Sequence, residues 1–366
     1  MHRDFRVQGF RGLKDLTLSD MRPITVVTGF NNVGKTSLLE ALFIHACGPN
    51  VLTAMQVLGA LRGRVRVVQS LQLLSGATSW EWLFPYKDTA KVIAIEATAD
   101  TGLASRVELK TADVGQARLF DGAQQTGDFA SMEPGRDLIV TVSDGHKTDT
   151  YLTSIAVSNT PFGPQAAPQT QPFPTGPLLP GHLISDRLRL GELDLANAFS
   201  VLAVRGRSAV LQDALQRIDD RVVSLQIITD AFGSEVNAVL LEGNAERFVP
   251  LSLAGDGMSL VAGYLAALIL AEKGIVVIDE FAAEVHYSHL MDAWRAVGAL
   301  ASDVGTQVVM TTHSRECILA AEKAFANNPE FICLYRLVRT DDGGVEAVRY
   351  DHKTLRGATE LGLDVR

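Results

Sequence analysis

Apolar residues along the chain follow two periods, and the switches between them mark its elements. Phe5-Arg6-Val7-Gln8-Gly9-Phe10-Arg11-Gly12 and Leu13-Lys14-Asp15-Leu16-Thr17-Leu18 alternate like two strands joined at a glycine turn. Three runs carry consecutive apolar residues instead: Val26-Val27 within Thr25-Val26-Val27-Thr28, Ile275-Val276-Val277-Ile278, and Val308-Val309-Met310 after Gln307. Such β-branched runs predict strands buried on both faces, as in a parallel sheet. Helical spacing begins near Lys35 and stops at Cys47-Gly48-Pro49. It returns over Val51 to Leu74, Leu193 to Leu225, the apolar stretch from Ser259 to Lys273, Met291 to Ala301 and Thr354 to Leu361. Val223 to Ile228 and Val236 to Leu241 read as strands ending at Glu242-Gly243-Asn244. Phe331 to Arg339 and Val345 to Tyr350 flank Thr340-Asp341-Asp342-Gly343-Gly344, which predicts a hairpin.

The character changes from about Asn50 to Asp186. Val92 to Ala97, Ser105 to Leu109 and Leu138 to Val142 alternate, predicting an antiparallel β region inserted between two halves of a larger α/β unit. Pro161, Pro164, Pro168, Pro172, Pro174, Pro177 and Pro180 then predict a loop or semi-rigid linker over 161–181. The expected division is a unit formed by 1–48 and 187–366, interrupted by 49–186.

Of the 366 residues, 47% are hydrophobic and 20% charged, enough apolar material for a substantial core. A net charge of −9 argues against a globally basic nucleic-acid binder. Arg62-Gly63-Arg64-Val65-Arg66 and Arg205-Gly206-Arg207 are local basic clusters, read first as charged surface and second as contacts to a phosphate backbone. Cys47, Cys317 and Cys333 have neither metal-site nor disulfide spacing and read as buried thiols of a reducing compartment. Met1-His2-Arg3-Asp4 lacks an apolar leader, and the window from Leu260 to Ala271 is too short to span a bilayer. The expectation is a soluble cytoplasmic protein.

The chemistry concentrates at the ends of the three buried runs. Gly29-Phe30-Asn31-Asn32-Val33-Gly34-Lys35-Thr36 joins the first run to a helix and has the phosphate-loop spacing. Its glycines allow the backbone to wrap an anion, its N–H groups and the helix dipole favour negative charge, Lys35 reaches the β- and γ-phosphates, and the Thr36 hydroxyl suits Mg²⁺. The second run delivers Asp279 and Glu280: Asp279 is expected to hold the Mg²⁺ shell through water, and Glu280 to polarise an attacking water as general base. The third ends in Thr311-Thr312-His313-Ser314, where His313 is positioned to contact a γ-phosphate. His286 either lines the same site or packs at a helix start. With His289 it lacks a third ligand, so no metal pair is expected there.

This constellation resembles the head of an ABC-type P-loop ATPase, closest to the branch that holds RecF, SMC proteins and the OLD (overcoming lysogenization defect) ATPases. Phe10-Arg11-Gly12-Leu13, Gly29 to Ala41, Asp279-Glu280 followed by Val285-His286-Tyr287-Ser288, and Thr312 to Cys317 are similar to the small OLD-like prokaryotic group. The likeness spans roughly residues 3–48 and 248–350. It implies an α/β head with a mixed central sheet and flanking helices. Asn31, Asn32, Gly34, Lys35, Thr36 and Ser37 would bind ATP, Thr36 and Asp279 would serve Mg²⁺, and Glu280 and His313 would act in hydrolysis. It also implies an ATP-dependent homodimer in which the signature loop, here Ala254-Gly255-Asp256-Gly257, caps the γ-phosphate held by the second copy.

The sequence departs from relatives at two points. Gly255 replaces the usual serine of that loop, and Phe281-Ala282-Ala283-Glu284 lacks the common small-polar and glycine pattern. Gln69 and Gln72 are both candidates for the Mg²⁺-sensing glutamine. Too few residues follow His313 for the toprim nuclease domain of OLD proteins, and no coiled-coil arm is present, so any effector is expected to be a separate chain. The resemblance implies an ATP-driven switch in DNA repair or phage defence, with DNA itself a possible partner. The alternative is a scaffold that binds ATP with little turnover and docks a protein. A membrane-importer subunit is disfavoured by the large insertion and the missing Leu-Ser-Gly-Gly-Gln signature.

Overall fold

The computed structural model describes residues 1–61, 80–112, 137–160, 163–174, 176–186, 188–189, 192–206, 208–229, 234–242, 245–361 and 365. The three buried runs become neighbours in one six-stranded sheet. Ile24–Gly29 (β3), Gln307–Thr311 (β14) and Ile275–Ile278 (β13) lie side by side and parallel, with β14 in the middle. Gly181–Ile184 (β9) extends the sheet beyond β13. Ile332–Arg339 (β15) runs parallel to β3 on the other side, and Val345–Asp351 (β16) closes that edge as the antiparallel arm of the expected hairpin.

Strict side-chain alternation explains why these strands carry apolar residues on both faces. Val26, Val276, Ile278, Val308 and Met310 enter one core, while Val27, Ile275, Val277 and Val309 enter a second on the opposite face. Helices fill the first core: Glu192–Val204 (α3), Ser208–Gln216 (α4), Asp256–Leu270 (α5), Leu290–Val304 (α6), Arg315–Ala324 (α7) and His352–Glu360 (α8). The second is covered by Lys35–Cys47 (α1), Val51–Leu61 (α2) and an antiparallel sheet. From Leu38 to Cys47 every residue of α1 is buried, because the helix is sandwiched between the two sheets.

The antiparallel sheet differs from expectation. His2–Phe10 (β1) and Leu13–Leu18 (β2) form the expected hairpin, but Ile93–Ala99 (β4) pairs directly with β1. Ala104–Ala112 (β5), Asp137–Ser143 (β6), Thr148–Thr160 (β7) and Gly163–Gln171 (β8) then continue a single seven-stranded sheet. The β region expected as an insertion is thus an extension of the N-terminal hairpin, and β9, also placed within 49–186, belongs to the six-stranded sheet. The pairing of residues 2–8 with 94–99 is a long-range choice that alternation alone does not specify.

The proline-rich stretch also forms structure. Pro164 and Pro168 lie in β8, the last strand of the sheet, where a residue with no N–H to donate can face outward. A third sheet holds Val222–Thr229 (β10), Ser234–Glu242 (β11) and Ala245–Pro250 (β12). The first two were expected. The charged, exposed β12 was not, because its strand state comes from pairing with β11. Cys47, Cys317 and Cys333 are buried free thiols; burial pushes those of Cys47 and Cys317 up to about 12. Arg62 to Arg66, Arg207, Gln69 and Gln72 lie outside the described residues. Among the described residues, no helix is long and apolar enough to cross a membrane.

Candidate nucleotide site

The register levels the C-terminal ends of the three central strands: Thr311 pairs with Val27, and Ile278 with Met310. Residues just past those ends therefore meet, although Thr36 and Asp279 are 243 positions apart.

The phosphate loop is held closely by its neighbours. Gly29 has φ 136° and Gly34 φ 113°. A Cβ at Gly29 would stand 2.6 Å from the Leu337 carbonyl oxygen, and one at Gly34 would stand 2.8 Å from a Leu13 methyl. Glycine is required at both for conformation and for space. Gly34 caps α1, and Leu38 N–H is bonded to Gly34 O at 2.9 Å, so Lys35, Thr36 and Ser37 carry the N–H groups that open a helix without an intrahelical acceptor. The buried Lys35 Nζ donates to the carbonyls of Gly29 at 2.8 Å and Phe30 at 3.3 Å. An ammonium has three hydrogens, so one remains for a phosphate oxygen. Asn31 and Asn32 are exposed. Asn32 has φ 61°, and its carbonyl accepts from Arg339 Nη2 at 2.7 Å.

A hydrogen-bond chain links the loop to the acidic strand end. Thr36 Oγ1 donates to Asp279 Oδ2 at 2.8 Å, and Thr311 Oγ1 donates to Asp279 Oδ1 at 2.6 Å. The same Thr311 oxygen accepts from Glu280 N–H at 2.8 Å, and the Glu280 carboxylate meets His313 Nδ1 at 2.5 Å. Glu280 holds φ 59° and Ala282 φ 57°, so the turn after β13 stores strain where the carboxylates are presented. Beside the Glu280–His313 pair opens a cleft of about 290 Å³ lined by Ala282, Ala283, Tyr287 and Ser314 among others.

These groups fit a Mg²⁺–nucleotide. A carboxylate only accepts, so the Thr36 proton points at Asp279 and the hydroxyl lone pairs face away from it, as a hard cation requires. The helix start, the loop N–H groups and the spare Lys35 hydrogen suit a polyphosphate. Thr36, Asp279, Glu280 and His313 are thus brought together, with Lys35 and Ser37 adjoining at the start of α1. Gly255, Asp256 and Gly257 lie at the start of α5. Gly255 caps α5 with open space where a Cβ would lie, and Gly257 faces Glu284 and Val285. Of the two expectations for His286, the geometry favours the helix start: the exposed ring lies tilted against Tyr287, 4.3 Å between centroids, and Nδ1 bonds to Ser288 Oγ at 2.8 Å. Thr311 and Arg339 were missed. Thr311 was visible only as part of a polar strand end, and nothing local marks Arg339.

Residues 142–318 match the family model described as "AAA domain, putative AbiEii toxin, Type IV TA system". That span includes the signature loop, Asp279-Glu280 and His313 but not the phosphate loop. An "ATP/GTP phosphatase" of Helicobacter pylori is 22% identical over 91% of this chain and 92% of its own. Among solved structures, the SMC head of Pyrococcus furiosus bound to the C-terminal domain of ScpA covers 98% of each chain at 10% identity and TM-score 0.49. The SMC head of Thermotoga maritima covers 96% of this chain and 99% of its own at 10% identity and TM-score 0.42. The strand order, the loop–helix junction, the acidic strand end and the matched AAA model support an ABC-type P-loop ATPase.

Proposed function

We propose that this chain is an ATP-hydrolysing switch that closes as a homodimer on Mg²⁺–ATP and reopens after hydrolysis. The observation that carries the reading is the continuous chain Thr36–Asp279–Thr311–Glu280–His313 at the ends of three parallel strands. Bound Mg²⁺ neutralises phosphate charge, and ATP brings the bond that is broken. Lys35 and the first N–H groups of α1 hold the phosphates. Thr36 and Asp279 hold the metal side. Glu280 accepts the proton of the attacking water, and His313, already on its carboxylate, orients it and shares that proton.

Gly255 caps α5 with open space beside it, which supports use of the loop Gly255-Asp256-Gly257 by a second copy. The OLD-like motif set supports a cytoplasmic role in DNA repair or phage defence through a separate effector. Sedimentation of wild type and Glu280→Gln, with and without Mg²⁺–ATP, tests the reading with phosphate release followed on the same samples. A dimer trapped by Glu280→Gln and phosphate released by wild type are expected. Unchanged mass and no phosphate would leave a nucleotide-binding scaffold that docks a partner.

A further inference from the structure

Thr311 is the one residue whose side chain bonds to both members of the acidic pair among the described residues. Its position follows from topology. β14 lies between the phosphate-loop strand and the acidic strand, so its last residue faces the ends of both. The directions of its two bonds are forced. Asp279 is a carboxylate that accepts, and Glu280 N–H can only donate, so the hydroxyl proton goes to Asp279 and a lone pair to Glu280. The residue is fully buried, so neither bond exchanges freely with water.

The main chain of Thr311 adds a third tie, because its carbonyl accepts from Phe281 N–H at 2.8 Å. Residues 280 and 281 are thus both anchored to residue 311. Glu280 keeps φ 59° only while something holds it there. Losing the hydroxyl frees the Glu280 N–H, lets the turn relax and carries the carboxylate away from His313. It also leaves Asp279 with Thr36 as its remaining side-chain donor, free to rotate about that bond.

We propose that Thr311 is a positioning residue that sets the orientation of both carboxylates at once, coupling the metal-side Asp279 to the water-side Glu280. The proposal rests on the reading of the site as a Mg²⁺–nucleotide site. Outer partners of this kind typically change metal affinity or activity 10- to 100-fold.

The test uses Thr311→Val, which keeps the shape and removes the hydroxyl, and Thr311→Ser, which keeps the hydroxyl and removes the methyl. Affinity for a non-hydrolysable ATP analogue is measured in EDTA and in Mg²⁺, alongside turnover. Thr311→Val is expected to bind the analogue in EDTA within about twofold of wild type and to lose about tenfold of the gain that Mg²⁺ confers. Its turnover should fall about 10- to 100-fold. Thr311→Ser is expected to keep both the gain and the turnover. A merely structural role would not separate the EDTA and Mg²⁺ affinities. Thr311→Val with the wild-type gain and turnover overturns the proposal, and so does Thr311→Ser with the gain lost, whether or not the valine variant folds. Wild type showing no Mg²⁺-dependent gain would overturn the reading of the whole site as well.

Discussion

The two ends of β14 carry polar residues that are equally buried and serve opposite purposes. At its start, Thr306 and Gln307 are 0% and 1% exposed; at its end, Thr311 and Thr312 are 0% and 2% exposed. The partners differ. Thr306 Oγ1 donates to the carbonyls of Leu268 and Ala271, and Gln307 Nε2 donates to those of His2 and Arg22. His2 N–H returns a bond to Gln307 Oε1 at 2.8 Å, so this amide stitches β1 to the six-stranded sheet. Every partner there is main chain and fixed in place. At the other end Thr311 and Thr312 also accept from main-chain N–H groups, of Glu280 and Ser314, but Thr311 Oγ1 donates to the Asp279 carboxylate, a side chain that can exchange ligands. Burial therefore does not separate structural from chemical polar groups in this molecule; the nature of the partner does.

The comparison can be broken or sharpened experimentally. The largest effect belongs to the chemical end: Glu280→Gln should lower the turnover about 10²- to 10⁴-fold while leaving nucleotide binding, read by equilibrium titration, near wild type. Failure to slow phosphate release would remove Glu280 from the chemistry and with it the contrast. At the structural end, Gln307→Leu removes the acceptor of the His2 N–H and a donor to the His2 and Arg22 carbonyls, of which Arg22 keeps Thr25 Oγ1. A loss of about 2–3 kcal/mol in denaturant unfolding is expected, with turnover per folded molecule unchanged. A fall in turnover with stability intact would reverse the assignment of the two ends.

Acid should act on the structural end next. Burial, and secondarily the N-terminal charge, lowers the His2 pKa to about 4. Burial, and secondarily His2, lowers that of His45 to about 3. Both pKa values fall from the ordinary 6.5, so the unfolded chain binds more protons between those limits. This contribution to stability is fully present above pH 6.5 and is lost as pH falls toward 4 and then 3. The expected cost by pH 4 is up to about 3 kcal/mol for each histidine. Replacing both by leucine should flatten that acid limb, read from urea midpoints at successive pH values. A limb unchanged in the double variant would place the acid sensitivity elsewhere.

The smallest effect expected is at the rim of the phosphate loop. Arg339→Ala removes the donor to Asn32 O and should weaken nucleotide binding about three- to fivefold, with little change in turnover at saturation. Equal losses in both would mean that Arg339 acts on the reaction itself.

Much of the site was legible because its signals are local. Gly29 to Thr36 and Asp279-Glu280 are motifs whose spacing reports backbone geometry directly, and the buried runs before them announce two-sided strands. Pairing across long distances was less legible. Ile93–Ala99 reads equally well as a strand of a separate β region or of the first hairpin's sheet, and β12 has no apolar alternation to announce it. Proline content suggested a linker where an edge strand exists, since pairing on one side needs only half of the main-chain donors.

What the sequence determined by itself is the set of chemical parts and the strands that carry them: a loop that fits phosphate, two carboxylates, a histidine, and runs apolar enough to be buried on both faces. Only the tertiary structure decided that β14 would lie between the other two strands. That choice turns Thr311 from an ordinary strand residue into one bonded to both Asp279 and Glu280, and it sets Glu280 beside His313. The physical reason is that strand order and register depend on how two cores fill on either face of one sheet. That condition involves the whole chain, and no local window of residues contains it.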